Sequence, residues 1–175
     1  MSDPITDAAQ TANPEPLPEL LFGATVSYSR GEKVVHPTAG NYVKVVRALH
    51  ADGFTMAVDL TATDYLTHEH RTLPDGVDAE RFEVVVNLLS HAKRERIRVR
   101  VQLAGDNPRV SSLYDVYPGT EAMEREAYDL LGIWFEGHPD LTRILLPDEW
   151  QGHPLRKDEA AGRIPVQFTH TMAPR

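Results

Sequence analysis

Hydrophobic positions along the chain change period several times, and each change marks an element. Val34 and Val35 lie in a short β-branched run, Lys33 to His36, that follows Leu20 to Ser27, ends at Pro37 and predicts a first strand. Thr38 is placed to cap a helix reaching about Ala51, whose apolar residues Tyr42, Val45, Val46 and Leu49 share one face before Asp52-Gly53 ends it. Phe54, Met56, Val58 and Leu60 then alternate with polar or small residues, the pattern of a strand with one side in the core, and Thr61 to Tyr65 is expected to leave the sheet.

Polar residues around Pro74 and Gly76 make 66–80 a surface loop. Phe82 to Leu89 is a nearly continuous apolar run, as expected of a central strand buried on both faces. Ile97, Val99, Val101 and Leu103 alternate with Arg98, Arg100 and Gln102, so this strand pairs with the previous one as an antiparallel hairpin. Gly105 to Pro108 breaks it, and Ser111 to Tyr117 crosses to Pro118-Gly119. A second helix from Thr120 to about Leu131 carries an apolar stripe of Met123, Ala127, Leu130 and Leu131, with Glu121, Arg125 and Asp129 spaced on another face.

From Gly137 onward five prolines and no sustained period predict an extended C-terminal arm, 137–175. With a flexible tail at 1–18 and a folded domain at 19–136, the class is α+β, or α/β by looser definitions: a mixed sheet with flanking helices. At 175 residues this is the size of one domain.

Composition removes several chemistries. Cysteine is absent, which excludes disulfides, thiolate nucleophiles and cysteine-ligated clusters within the chain. No stretch approaches the roughly 20 apolar residues of a membrane span. The first eighteen residues lack a basic or apolar leader region, which predicts a cytoplasmic protein. Neither G-x-G-x-x-G nor a Walker-type loop occurs, so the backbone cradle for a nucleotide phosphate is missing.

Four residue groups invite chemistry. His68 and His70, with Asp64 nearby, could ligate a metal for a hydrolase, but H-x-H in a polar loop lacks the rigid helical spacing of a zinc motif. Lys93 to Arg100 holds five basic residues and one acid, an RNA-binding composition without the interleaved aromatics that stack on bases. His138 and His153 each stand between Gly and Pro, where a ring could be held for proton transfer, although a turn residue bonding nearby backbone is the simpler expectation. Glu124, Glu126 and Asp129 stand beside Arg125 without a nucleophile, which points to ion pairs within the helix or with a partner.

The arm concentrates Leu141, Ile144, Leu145, Leu146, Trp150 and Leu155 beside Arg143, Asp148, Arg156, Lys157 and Asp158, the mixture found at interface hot spots. It either meets a partner or folds back on its own domain, and its composition favours the partner.

The segment Glu124 to Asp158, EREAYDLLGIWFEGHPDLTRILLPDEWQGHPLRKD, resembles the signature of one subunit family of NADH:quinone oxidoreductase (respiratory complex I), the family called the 30 kDa subunit in mitochondria. Arg81 to Leu103 and Val58 to Leu66 resemble the same family in the same order, so the likeness spans about Val34 to Asp158. Two positions depart from it: Glu121-Ala122 stands where the family often has Asn-Trp, and Glu159, Ala160 and Ala161 follow where an aromatic and Pro-Leu are common. Resemblance implies a non-catalytic structural subunit of the peripheral arm on the cytoplasmic side of the membrane, lying against the large quinone-site subunit. Flavin, iron–sulfur clusters and quinone are then expected in partner subunits and not in this chain. The residues carried over as subunit-interface residues are Glu124, Arg125, Glu126, Asp129, His138, Arg143, Asp148, Trp150, His153, Arg156, Lys157 and Asp158. The equivalent subunit of a related hydrogenase-type complex is the nearest alternative.

Overall fold

The computed structural model describes residues 19–68 and 71–159. The N-terminal tail expected at 1–18, the loop histidine His70 and the path of residues 160–175 lie outside the described residues. Among the described residues eight strands, two helices and one 3-10 turn follow in the order β1 (Leu20–Leu21), β2 (Ala24–Ser29), β3 (Glu32–His36), α1 (Tyr42–Ala51), β4 (Met56–Asp64), β5 (Phe82–Ser90), β6 (Glu95–Leu103), β7 (Arg109–Ser111), the turn Pro118–Thr120, α2 (Glu121–Leu131) and β8 (Trp134–Glu136).

Six strands form one sheet in the order β1-β2-β3-β6-β5-β4, and β7 pairs with β8 apart from it. The β3–β6 pair is parallel and the other pairs in the large sheet are antiparallel, so the sheet is mixed and the class is α+β as the pattern predicts. Arg30 and Gly31, both at positive φ (53° and 82°), close the β2–β3 hairpin, a two-residue turn whose left-handed conformations match strand twist. The expected β5–β6 hairpin is present, with Phe82 opposite Leu103 and Ser90 opposite Glu95.

One sheet face makes the core. Phe82, Val84, Val86 and Leu88 of β5 and Ile97, Val99, Val101 and Leu103 of β6 are buried on it and cluster with Tyr42, Val45, Val46 and Leu49 of α1 and Ala127 and Leu131 of α2. The opposite face is polar, carrying Glu83 and Asn87 of β5 beside Gln102 and Arg98 of β6 in register. Thus β5 is not apolar on both faces: its second side holds the buried carboxylate Glu83 and half-buried neighbours.

Two other expectations change. The first helix begins at Tyr42 with Asn41 as N-cap, and Thr38 instead accepts the Asn41 N–H in the preceding turn through its carbonyl (3.0 Å). Strand β4 does not leave the sheet at Thr61 but continues to Asp64, pairing Thr61 with Val85 and Thr63 with Glu83; β-branched threonines suit such a ladder. The simple alternation predicted before Leu60 fails because the register shifts between Ala57 and Asp59. That irregularity leaves Met56 and Val58 exposed while Phe54 and Leu60 are buried.

Beyond β8 the described part of the arm, 137–159, has neither helix nor strand. It folds back along its own domain, tied by Leu155 N–H to the Leu130 carbonyl (3.0 Å) and by Lys157 N–H to Asp64 (2.9 Å).

Candidate functional site

Helix α2 reaches full length because Gly132 takes the left-handed conformation at its end (φ 74°), where its N–H returns to the Tyr128 carbonyl at 2.8 Å. The last turn places Asp129 inward, and its carboxylate becomes the hub of the returning arm. One oxygen, Oδ2, accepts the N–H groups of Ile144 (3.0 Å), Leu145 (2.8 Å) and Leu146 (2.9 Å) in succession. The other, Oδ1, accepts Arg143 Nη1 at 2.7 Å, and Arg143 Nη2 donates to the Gly152 carbonyl at 3.0 Å. Burial alone would raise the Asp129 carboxyl, but the three backbone donors and the guanidinium outweigh it and hold it below the usual carboxylate range.

His153 closes the same site. Its Nδ1 donates to the Asp129 carbonyl at 2.9 Å, and its ring meets Tyr128 edge-on at 5.9 Å. A Cβ on Gly132 would stand 2.7 Å from His153 Cδ2, so glycine is required there for space as well as for φ.

At the N-terminal end of α2, Arg125 spans from Glu121 (3.4 Å) to the Thr142 carbonyl (3.1 Å) and the Arg143 carbonyl (2.9 Å). His138 accepts the Asp140 N–H at Nδ1 (3.0 Å) and donates from Nε2 to the Glu121 carbonyl (3.0 Å), which fixes its tautomer. Glu124 is fully enclosed and accepts from Ser112 Oγ (2.5 Å), Leu113 N–H (2.7 Å) and Thr120 Oγ1 (3.1 Å). Burial raises its carboxyl in spite of those donors.

A second clasp holds the far end of the arm. Arg81 pairs with Asp64 (2.8 Å) and with Asp158 (2.8 Å), while Asp158 also takes Arg156 (3.1 Å). The Arg81 and Arg156 guanidinium groups both lie over the buried Phe82 ring, at 4.7 and 5.1 Å from its centre. Hydrogen bonds from Arg81 and Arg156 depress the Asp158 carboxyl, and burial of Asp64 is outweighed by Arg81 and by the Lys157 and Leu66 amides, so Asp64 is depressed too.

What this geometry does is tie an irregular, proline-containing strap to a helix and a strand end through buried charge. Residues 35–163 match the family described as respiratory-chain NADH dehydrogenase, 30 Kd subunit. The chain belongs to this family. The corresponding NADH-quinone oxidoreductase subunit of Salinispora tropica is 34% identical over 178 residues, covering 98% of this chain and 66% of that protein. That of Roseiflexus castenholzii is 42% identical over 156 residues, covering 87% of this chain and 83% of that one. The chain thus spans about two thirds of the length of the Salinispora relative.

Among solved structures, the trypsin-resistant fragment of Nqo5 superposes with a TM-score of 0.59 at 34% identity, covering 68% of this chain and 90% of the fragment. A chain of a membrane-bound sulfane sulfur reductase, an archaeal respiratory membrane complex, gives a TM-score of 0.64 at 22% identity over 77% of this chain and 76% of that one, a likeness of fold.

The family signature segment therefore coincides with α2 and the strap. Of its residues, Glu124 and Asp129 are fully enclosed, and Arg125, His138, Arg143, His153 and Arg156 bond within the chain. Glu126, Asp148, Lys157 and Asp158 are exposed, and Trp150 is half-buried.

Several of the other candidates are drawn into internal contacts. Both Asp64 oxygens are occupied by Arg81, Leu66 and Lys157, which leaves the metal reading without its carboxylate, and no group of three His, Asp or Glu residues capable of holding a metal occurs among the described residues. In the basic run, Lys93 pairs with Asp52 (2.7 Å), Arg98 with Glu32 (3.3 Å) and Arg100 with Glu83 (2.8 Å). Glu83 also receives Arg71 (3.0 Å), an ion pair whose side chains are 8% and 1% exposed and which no sequence period announces. The Arg81 clasp was equally invisible, because its carboxylates lie at positions 64 and 158.

Proposed function

We propose that the chain serves as a non-catalytic structural subunit in the peripheral arm of a proton-translocating NADH:quinone oxidoreductase, where it braces the quinone-reducing module by contacts with neighbouring subunits, above all the large subunit of the quinone site. Family membership carries this reading: the match covers the α+β domain from β3 through the strap. The architecture supports it, since the signature residues lock a strap onto the domain and leave Glu126, Asp148 and Lys157 at the surface for a partner. Flavin, iron–sulfur clusters and quinone belong to the partner subunits in this reading, and the chain itself supplies shape and charge. No helix among the described residues is long and apolar enough to cross a membrane, so membrane association would come through the complex, on its cytoplasmic side.

The experiment is an affinity pull-down of the tagged chain from its native membranes in mild detergent, with mass spectrometry and an NADH:quinone reductase assay on the product. Co-purification of flavin- and cluster-bearing subunits with that activity is expected. Recovery of the chain alone would overturn the assignment.

A further inference from the structure

Three consecutive N–H groups directed at one carboxylate oxygen fix the strap backbone here. Ile144, Leu145 and Leu146 all donate to Asp129 Oδ2, and while Leu146 is half-buried, Ile144 is 40% and Leu145 60% exposed. Scattered exposed leucines are ordinary on protein surfaces. Two consecutive large apolar residues on a backbone pinned by a buried carboxylate are a different case, because the conformational entropy of ordering them has already been lost in the free chain. Leu155, 49% exposed, is fixed to the adjoining residue of α2 through the Leu130 carbonyl.

The surroundings give the partner's chemistry. Asp140, Asp148 and Glu149 flank this knuckle in sequence, are exposed, and make no ion pair among the described residues, whereas Arg143, the cation nearest to it in the chain, is paired with Asp129. We propose that Ile144 and Leu145 form a preshaped peg that enters an apolar groove with a basic rim on a neighbouring protein subunit. The proposal rests on the assembly role above and names the feature of the strap that makes the contact. An anionic lipid surface fits poorly, since the same acids would repel it.

The test places a photo-crosslinking phenylalanine analogue at position 145 of the full chain in the native complex, and compares Leu145→Asp and the double variant Asp148→Lys/Glu149→Lys in the pull-down described above. Cross-links to another subunit at an apolar segment flanked by Lys or Arg are expected, with at least a tenfold lower recovery of partner subunits for Leu145→Asp and a smaller loss for the charge reversal. An unchanged melting curve for Leu145→Asp, whose side chain is mostly in solvent, separates lost docking from lost folding.

Normal recovery with Leu145→Asp would overturn the peg while leaving the assembly role standing. Recovery unaffected by the charge reversal would overturn the basic rim. Cross-links to this chain's own residues 160–175, or to a second copy, would overturn the partner. Failure of the unaltered chain to recover any subunit would remove the assembly role and the peg together.

Discussion

Replacing Asp129 by Asn keeps the size of the side chain and removes the charge on which the strap converges. In the native site Oδ2 accepts three amide N–H groups and Oδ1 accepts Arg143 at 2.7 Å, so every contact of the carboxylate is to a donor. An Asn amide offers one accepting oxygen, and its other end is an NH2 that can only donate. If its oxygen faces the three amides, its NH2 opposes the guanidinium, and if it flips, its NH2 opposes the amides. Removing one partner of a buried ion pair costs about 3–5 kcal/mol. Arg143 keeps the Gly152 carbonyl and is 15% exposed, so the lower end applies, about 3 kcal/mol. With a urea dependence of about 2 kcal/mol per molar, Asp129→Asn should lower the unfolding midpoint by about 1.5 M at neutral pH. Its folded carboxyl is depressed, so this stabilisation is complete above the unfolded value near about 4 and is lost as pH falls through the folded one. The variant and the parent should therefore converge in acid. A midpoint shift under about 0.5 M, or a gap that persists in acid, would refute the role of the charge.

Two further substitutions probe the ends of α2. Glu124 has the opposite linkage: its carboxyl is raised by burial, so the native state binds the extra proton and stability falls as pH rises from the unfolded value, about 4.3, through the folded one. Glu124→Gln can still accept from Leu113 and Thr120 while donating to Ser112, so it should change stability at neutral pH by less than about 1 kcal/mol and abolish that slope, whereas Glu124→Leu orphans the Leu113 and Ser112 donors at about 1–3 kcal/mol each; urea melts between pH 4 and 8 distinguish them. Gly132→Ala forces a Cβ into a left-handed position, at about 1–2 kcal/mol, and against the His153 ring 2.7 Å away, so it should lower the melting temperature and expose the strap to limited proteolysis before the domain.

How much of this the sequence discloses depends on the range of the contacts involved. The β5–β6 hairpin is legible because two strand-length runs stand on either side of a short polar connection and β6 buries the face its alternation predicts, although the apolar run of β5 hides its polar face, and α1 is legible because Tyr42, Val45, Val46 and Leu49 share a helical face. Strand β4 is misread at both ends, since an irregularity at Val58 breaks the period and Thr61 to Asp64 is held by pairing to β5, a segment some twenty residues away. The acids of α2 show the limit most clearly. A helical wheel assigns Glu124 and Asp129 to the polar surface, yet both are fully enclosed, because their donors come from residues 112–120 and 143–146. The signature's resemblance marks the segment without disclosing that Glu124 and Asp129 are enclosed and that Arg125 and Arg143 bond within the chain.

That internal use of charge has a physical reason. The strap from 137 to 159 contains Pro139, Pro147 and Pro154, forms no ladder or helix, and contributes little to the core, so its backbone amides need acceptors from elsewhere. A buried carboxylate on a rigid helix can take several at once, and Asp129 takes three while Asp64 takes those of Leu66 and Lys157. An apolar replacement could fill the same space but would leave those amides unpaired, which buried backbone rarely tolerates. Each carboxylate then requires a cation, and arginine meets the need with a fork that also reaches carbonyls of the strap: Arg143 to Gly152, Arg125 to Thr142. Shape without regular secondary structure is what a subunit needs when its contact surface must be irregular yet fixed. Asp129, Arg125 and Arg143 therefore act on the strap itself, holding an irregular backbone in one shape.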